Sequence, residues 1–136
     1  MAEKAFKLEI ISPRKVVFSG DVMSFSAPGV VGAFQVLYNH APMISALNVG
    51  EVKLRNLQGA EKKYATSGGF VEVLKNQVTL LAETVESQED IDRARAESAR
   101  DRASKRLADR QPDIDLERAR AALARALNRL RIVEKR

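Results

Sequence analysis

The 136-residue chain contains no cysteine, no tryptophan and one histidine. Without thiols it can build neither a disulfide framework nor a thiolate metal site. His40 has no second histidine, no cysteine and no activated nucleophile beside it, so it reads as a structural residue of a turn, not as a catalyst. No run approaches the ~20 apolar residues that cross a bilayer. The first residues, MAEKAFKLEIIS, carry charges where a signal peptide is apolar. The expectation is a chain without leader or span, associating with a membrane only through partners. Neither Gly-x-x-x-x-Gly-Lys-Ser/Thr nor Gly-x-Gly-x-x-Gly is present, which argues against nucleotide hydrolysis by the chain itself. Glycine also ends early: none follows Gly69.

The formal net charge is +5, and it is unevenly spread. Residues 1–88 are nearly balanced, whereas residues 118–136 hold seven basic residues and one acid, Glu134. A basic segment of this kind calls for an acidic partner: nucleic acid, lipid headgroups or a carboxylate-rich protein.

Two periods divide the chain. Up to about residue 86 the pattern is β: Phe6, Leu8 and Ile10 alternate with Lys7 and Glu9, and short runs follow at Val16–Phe18, Val22–Ser26, Val49–Leu54, Tyr64–Thr66, Phe70–Leu74 and Val78–Leu81. Breaks are expected at Ser12-Pro13, Ser19-Gly20-Asp21, Pro28-Gly29, Asn48, Gln58-Gly59, Ser67-Gly68-Gly69 and Lys75-Asn76. Short strands at roughly ten-residue spacing point to a sandwich or a barrel, with nine or ten strands in two packed sheets expected. From Ser87 onward the pattern is helical. Ser87-Gln88-Glu89-Asp90 resembles a capping box, opening a helix to about Asp109 with a weak stripe of Ile91, Ala96, Ala99, Ala103 and Leu107. Pro112 breaks it, and Asp113 or Asp115 can cap a second helix. Leu116, Ala119, Leu123, Ala126, Leu130 and Val133 form a heptad-like seam on that helix. An alanine-rich pair of short helices buries little area and is marginal alone, which hints at a mobile element; a static hairpin is the plainer alternative.

The order of Phe18-Ser19-Gly20, Asn39-His40-Ala41-Pro42, Gly50-Glu51-Val52 and Ser67-Gly68-Gly69-Phe70-Val71-Glu72-Val73, followed by an Ala/Arg-rich hairpin with Ile91-Asp92-Arg93-Ala94-Arg95-Ala96, resembles the epsilon subunits of bacterial F-type ATP synthases over essentially the whole chain. The resemblance implies a ten-stranded β-sandwich (residues 1–86), followed by an antiparallel two-helix hairpin (87–136). It implies a non-catalytic rotor subunit beside gamma on the c ring, peripheral on the cytoplasmic face of the bacterial inner membrane, with no obligatory cofactor or metal. In that family the hairpin folds against the sandwich or extends along gamma toward the alpha and beta subunits, and the extended form opposes ATP hydrolysis. Gly32, Ala33, Asn39 and His40 fall where the resemblance implies a c-ring-facing turn. Here Gly32-Ala33-Phe34-Gln35 stands where many members have Gly-Glu-x-Gly, so an acidic contact is missing. Extended, Arg118, Arg120, Arg125, Arg129 and Arg131 would face the acidic region of the catalytic subunits.

Ile91-Asp92-x-x-Arg95-Ala96 also matches the motif associated with regulatory ATP in some family members, with Glu86, Arg102, Arg125 and Arg129 at the accompanying positions. Asp92, Arg95 and Arg102 share one helix face, as do Arg125 and Arg129 on the next helix. A hairpin turning near Gln111 sets Asp92 level with Arg129 and Arg95 level with Arg125. Arginine forks grip phosphate oxygens, and a carboxylate accepts from an adenine amino group. Without a ligand, Asp92–Arg95 and Asp101–Lys105 would serve as intrahelical ion pairs. The basic tail leaves a nucleic-acid-binding module as the alternative function, although the helical half has no aromatic residue for base stacking.

Overall fold

The computed structural model describes residues 4–109 and 115–136. The chain divides into two compact units, Met1–Ser87 and Gln88–Arg136.

The first unit is all β. Its strands are β1 (Phe6–Ser12), β2 (Lys15–Ala27), β3 (Phe34–Val36), β4 (Met43–Leu47), β5 (Gly50–Asn56), β6 (Glu61–Thr66), β7 (Gly69–Leu74), β8 (Gln77–Leu81) and β9 (Val85–Ser87). They are hydrogen-bonded in the order β4-β7-β8-β1-β2-β5-β6-β9, with β3 also on β2. β1 and β8 run parallel and the other pairs antiparallel. Every strand feeds one apolar cluster, including Phe6, Leu8 and Ile10 from β1, Phe25 from β2, Val52 and Leu54 from β5, Val71 and Val73 from β7, and Val78 and Leu80 from β8. A hydrogen-bonded path whose inner faces all meet in one core must fold over on itself, which makes the unit a sandwich. Burying each such side chain contributes ~1.5–3 kcal/mol. This core, not the turns, holds the unit together.

Nine strands lie among the described residues, within the nine or ten that the spacing predicts and one fewer than the ten that the resemblance implies. The expected break at Ser19-Gly20-Asp21 is continuous strand, because β1 pairs across it with Phe6↔Val22, Leu8↔Gly20 and Ile10↔Phe18. The ladder bonds along β2 outweigh the local turn preference of Ser-Gly-Asp. The short strands β3, β4 and β9 were not expected. Lys75-Asn76 is the turn anticipated, with φ of 49° and 61° closing the two-residue link between the partners Leu74 and Gln77.

The second unit is helical. A 3₁₀ turn, Gln88–Asp90, precedes α1 (Arg93–Asp109), and α2 spans Leu116–Glu134. Asp92 Oδ1 accepts the Arg95 N–H at 3.1 Å, and Asp92 O accepts the Ala96 N–H. Asp92 therefore satisfies orphan donors of the first turn of α1, and Ser87 stands just before the 3₁₀ turn. Asp115 caps α2 by accepting the Arg118 N–H. The expected break at Arg110–Asp113 lies outside the described residues. Of the α1 stripe, Ile91, Ala96 and Ala103 are buried and Ala99 and Leu107 half-buried; of the α2 seam, Ala119, Ala126, Leu130 and Val133 are buried. Two bonds show the helices antiparallel: Gln88 Nε2 donates to Ile132 O, and Arg136 Nη1 donates to Ile91 O. No described helix is long and apolar enough to cross a membrane.

Candidate functional site

Three surfaces carry the residues of interest. The first is the helix pair. Asp92 is exposed and its carboxylate sits on the Arg95 N–H at the positive end of α1. Arg95 and Arg102 are exposed on the same helix, and Arg125 and Arg129 are half-buried on α2. The bonds from Gln88 to Ile132 and from Arg136 to Ile91 bring the start of α1 beside the end of α2. Asp92 and Arg95 stand at that start of α1, and Arg125 and Arg129 in the C-terminal half of α2. Arg102 is seven residues past Arg95, ~10 Å further along the axis, toward the other end of the pair. Ile91, just before α1, is buried. Glu86 is half-buried in β9 of the first unit, opposite Ala65 of β6.

The anticipated ion pairs along α1 take another form. Asp92 serves as the helix cap, and Asp101 pairs with its neighbour Arg100 at 3.1 Å, not with Lys105. Of the basic residues on α2, Arg118, Arg120 and Arg131 are exposed. Arg131 Nη2 reaches Asn128 Oδ1, and Asn128 is only 3% exposed.

The second surface is the segment from Gly29 to His40. Gly32 has φ of 145° and open space around it, and Ala33 beside it is exposed. Asn39 holds φ of 64° and its N–H donates to Asn76 Oδ1 at 2.9 Å. His40 Nδ1 lies 2.7 Å from Ala41 O. The four residues do not form one turn. Val30, beside Gly32, bonds Ala46 near the Leu47↔Gly69 end of β4. Asn39 bonds the β7–β8 turn, by the Met43↔Val73 end. Strand β3 separates them. The segment also exposes Val30, Leu37, Tyr38 and, at 98%, Val31. The signal for these was the apolar pair Val30-Val31 bounded by Gly29 and Gly32.

The third surface was not read from the sequence. Ala46, Phe70, Leu81, Ile11 and Val16 are successive cross-strand partners over β4, β7, β8, β1 and β2. Four strand spacings of ~4.8 Å make this outward row ~19 Å long. Phe70 is 60% and Leu81 52% exposed. Beside it Ser12, Pro13, Ser67 and Glu83 help to line a groove of about 410 Å³. The signal was in β7, Gly-Phe-Val-Glu-Val-Leu, which is apolar on both faces.

Residues 5–88 match the family model for the ATP synthase delta/epsilon chain β-sandwich domain, and residues 89–134 match that for its long α-helix domain. The chain is 42% identical over 135 residues to the ATP synthase epsilon chain of Syntrophomonas wolfei, covering 99% of this chain and 98% of that one. It is 50% identical over 108 residues to the corresponding chain of Pelotomaculum thermopropionicum, covering 79% and 80% of the two. Among solved structures it resembles a chain of the Euglena gracilis mitochondrial ATP synthase, captured with its c ring, with a TM-score of 0.79 at 19% identity over 89% of this chain and 76% of that one. At that identity the likeness speaks for the fold.

Proposed function

The chain belongs to the ATP synthase delta/epsilon chain family, and from that premise we propose that it works as the epsilon-type, non-catalytic subunit of the central stalk. The observation that carries this reading is the match of both family models, in order, over residues 5–88 and 89–134. Its partners are then gamma and the c ring, on the cytoplasmic face of the bacterial inner membrane. The row from Ala46 through Phe70 and Leu81 to Val16 offers an apolar surface for gamma, since exposed apolar patches of this kind mark interaction sites. The exposed Val30, Val31 and the Gly32-Ala33 turn suit a contact with the c ring. The relatives described above carry ATP synthase names and lend nothing to a nucleic-acid-binding role.

The helix pair is the regulatory part. Closed, it sets Asp92, Arg95, Arg125 and Arg129 toward the same end of the pair, where arginine forks can take phosphate oxygens of ATP and Asp92 the adenine amino group. Extended, it presents Arg118, Arg120, Arg125, Arg129 and Arg131 to the alpha and beta subunits and opposes ATP hydrolysis. A ligand shifts such an equilibrium only through its different affinities for the two states. Opening the pair splits the cluster, so ATP favours the closed form.

Two measurements test this reading. The full chain should be retained by immobilised gamma, and Phe70→Ser with Leu81→Ser should weaken retention while strand content is kept; equal retention of both proteins would remove the apolar row from the interface. Calorimetric titration of the full chain with ATP should give saturable heat that Arg125→Ala or Arg129→Ala diminishes. No heat at millimolar ATP would leave these arginines with packing and inhibition alone.

A further inference from the structure

The buried alanines of the helix pair do not by themselves specify how it closes. Ala96 and Ala103 on α1 are seven residues apart, and so are Ala119 and Ala126 on α2. A slide by one heptad would set alanine against alanine again. Seams of this kind take their register from polar groups. Where α1 begins and α2 ends, such groups are present in both directions. The side chain of Gln88, 8% exposed, donates from Nε2 to Ile132 O at 2.8 Å. In return Arg136 Nη1 lies 3.1 Å from Gln88 O, 3.1 Å from Ile91 O and 3.5 Å from Glu89 O. Ile132 O belongs to the last turn of α2 and already accepts the Lys135 N–H at 3.1 Å, so Gln88 adds a second donor to it. Gln88 O and Ile91 O precede α1. Each helix end thus bonds backbone carbonyls of the other.

We propose that Gln88 and Arg136 form a clasp that closes the α1–α2 pair without any ligand and sets the register at which Asp92 meets Arg129. Both are positioning residues. Neither belongs to the candidate nucleotide cluster, but the clasp fixes the level of that cluster from one turn away. Only this last consequence rests on the ATP reading; the closure itself does not. The donor from Arg136 is charged, and charge-assisted bonds are about twice as strong as neutral ones. The bond from Gln88 is shielded from water, where hydrogen bonds are electrostatically stronger.

The absence of native cysteine allows a direct test. Ser98→Cys and Ala124→Cys, both at exposed positions on facing helices, accept spin labels whose separation reports closure in the full chain. Without nucleotide, the labelled parent should give one short, narrow distance. Adding Gln88→Ala or Arg136→Ala should each raise the open fraction about tenfold, the factor equivalent to ~1.4 kcal/mol and within the range for one hydrogen bond. The double variant should be largely open, with helix content at 222 nm retained. An unchanged narrow distance in the double variant overturns the clasp. Loss of helix content without separation overturns it too, because the two residues would then support each helix and not their pairing. ATP titration of the same variants separates the readings. If the parent binds no ATP, the nucleotide reading fails while the label distances still decide the clasp. If it binds, affinity should fall by the factor by which the closed population falls.

Discussion

Replacing Asp92 by asparagine and by alanine should separate two jobs held by one carboxylate. In the structure Asp92 Oδ1 accepts the Arg95 N–H, and its negative charge stands at the N-terminus of a 17-residue helix. Asparagine caps a helix about as well as aspartate, whereas alanine loses ~0.5–2 kcal/mol, typically ~1. The charge adds ~0.3–1 kcal/mol through the helix dipole. Asp92→Asn should therefore cost only the charge, while Asp92→Ala should cost cap and charge together, ~1.5–2 kcal/mol. For a unit of this size the difference of ~1 kcal/mol is at least about 4–8 °C in the midpoint of thermal unfolding. Circular dichroism at 222 nm reads it directly, because the strands contribute little there. Equal losses for the two variants would refute the capping role and leave the charge as the sole contribution. ATP titration of Asp92→Asn then becomes informative. A variant that keeps its helix and loses ATP affinity assigns the carboxylate to the ligand; one that keeps both removes Asp92 from the nucleotide site.

Two further outcomes follow from the geometry. Gly69→Ala should destabilise the sandwich by more than ~3 kcal/mol in urea unfolding, because strained backbone of this kind costs ~1–3 kcal/mol, φ is 118°, and the added Cβ would collide with the backbone at Leu81 O and Ala82 Cα; a loss under ~1 kcal/mol would mean that β7 can move away from β8 freely. Changing Arg118, Arg120 and Arg131 together to alanine should raise ATP hydrolysis by the assembled synthase several-fold, since all three are exposed on α2 and desolvated charge pairs lose most when truncated; unchanged hydrolysis with normal assembly would count against an inhibitory tail.

The parts of the fold legible in the sequence are those where one face is buried and the other wet. Lys7 and Glu9 face outward between Phe6, Leu8 and Ile10, and the pattern declares β1. Leu130 and Val133 on α2 are legible in the same way at helical spacing. Strand β4 was missed because Ile44 is 74% exposed, so Met-Ile-Ser-Ala-Leu shows no clean alternation. Strands β3 and β9 have three residues each, too few for a period. Gly20 reads as a turn from its neighbours, and only its pairing with Leu8 reveals strand. Of the candidate site, Asp92, Arg95, Arg125 and Arg129 could be singled out because charged side chains advertise their chemistry. Gln88 and Arg136 could not, since their acceptors are backbone carbonyls, which every residue has.

The alanine seam bears on how far the helix pair can be switched. A buried methyl contributes ~0.8 kcal/mol, so Ala96, Ala103, Ala119 and Ala126 together contribute ~3 kcal/mol to closure. Leucine at the same four places would contribute ~6–12 kcal/mol. Moving a population from almost wholly open to almost wholly closed takes ~5.5 kcal/mol of differential binding, which two or three charge-assisted hydrogen bonds at ~1.5–3 kcal/mol each can supply. Leu130 and Val133 of the same seam are buried too, so leucine at the four alanine places would add to an apolar contribution already present and favour the closed pair further. Alanine there keeps that contribution smaller. On the switch proposed above, then, the small buried side chains leave more of the decision to polar groups: to Gln88 and Arg136 when no ligand is bound, and to the arginines of α2 when ATP is.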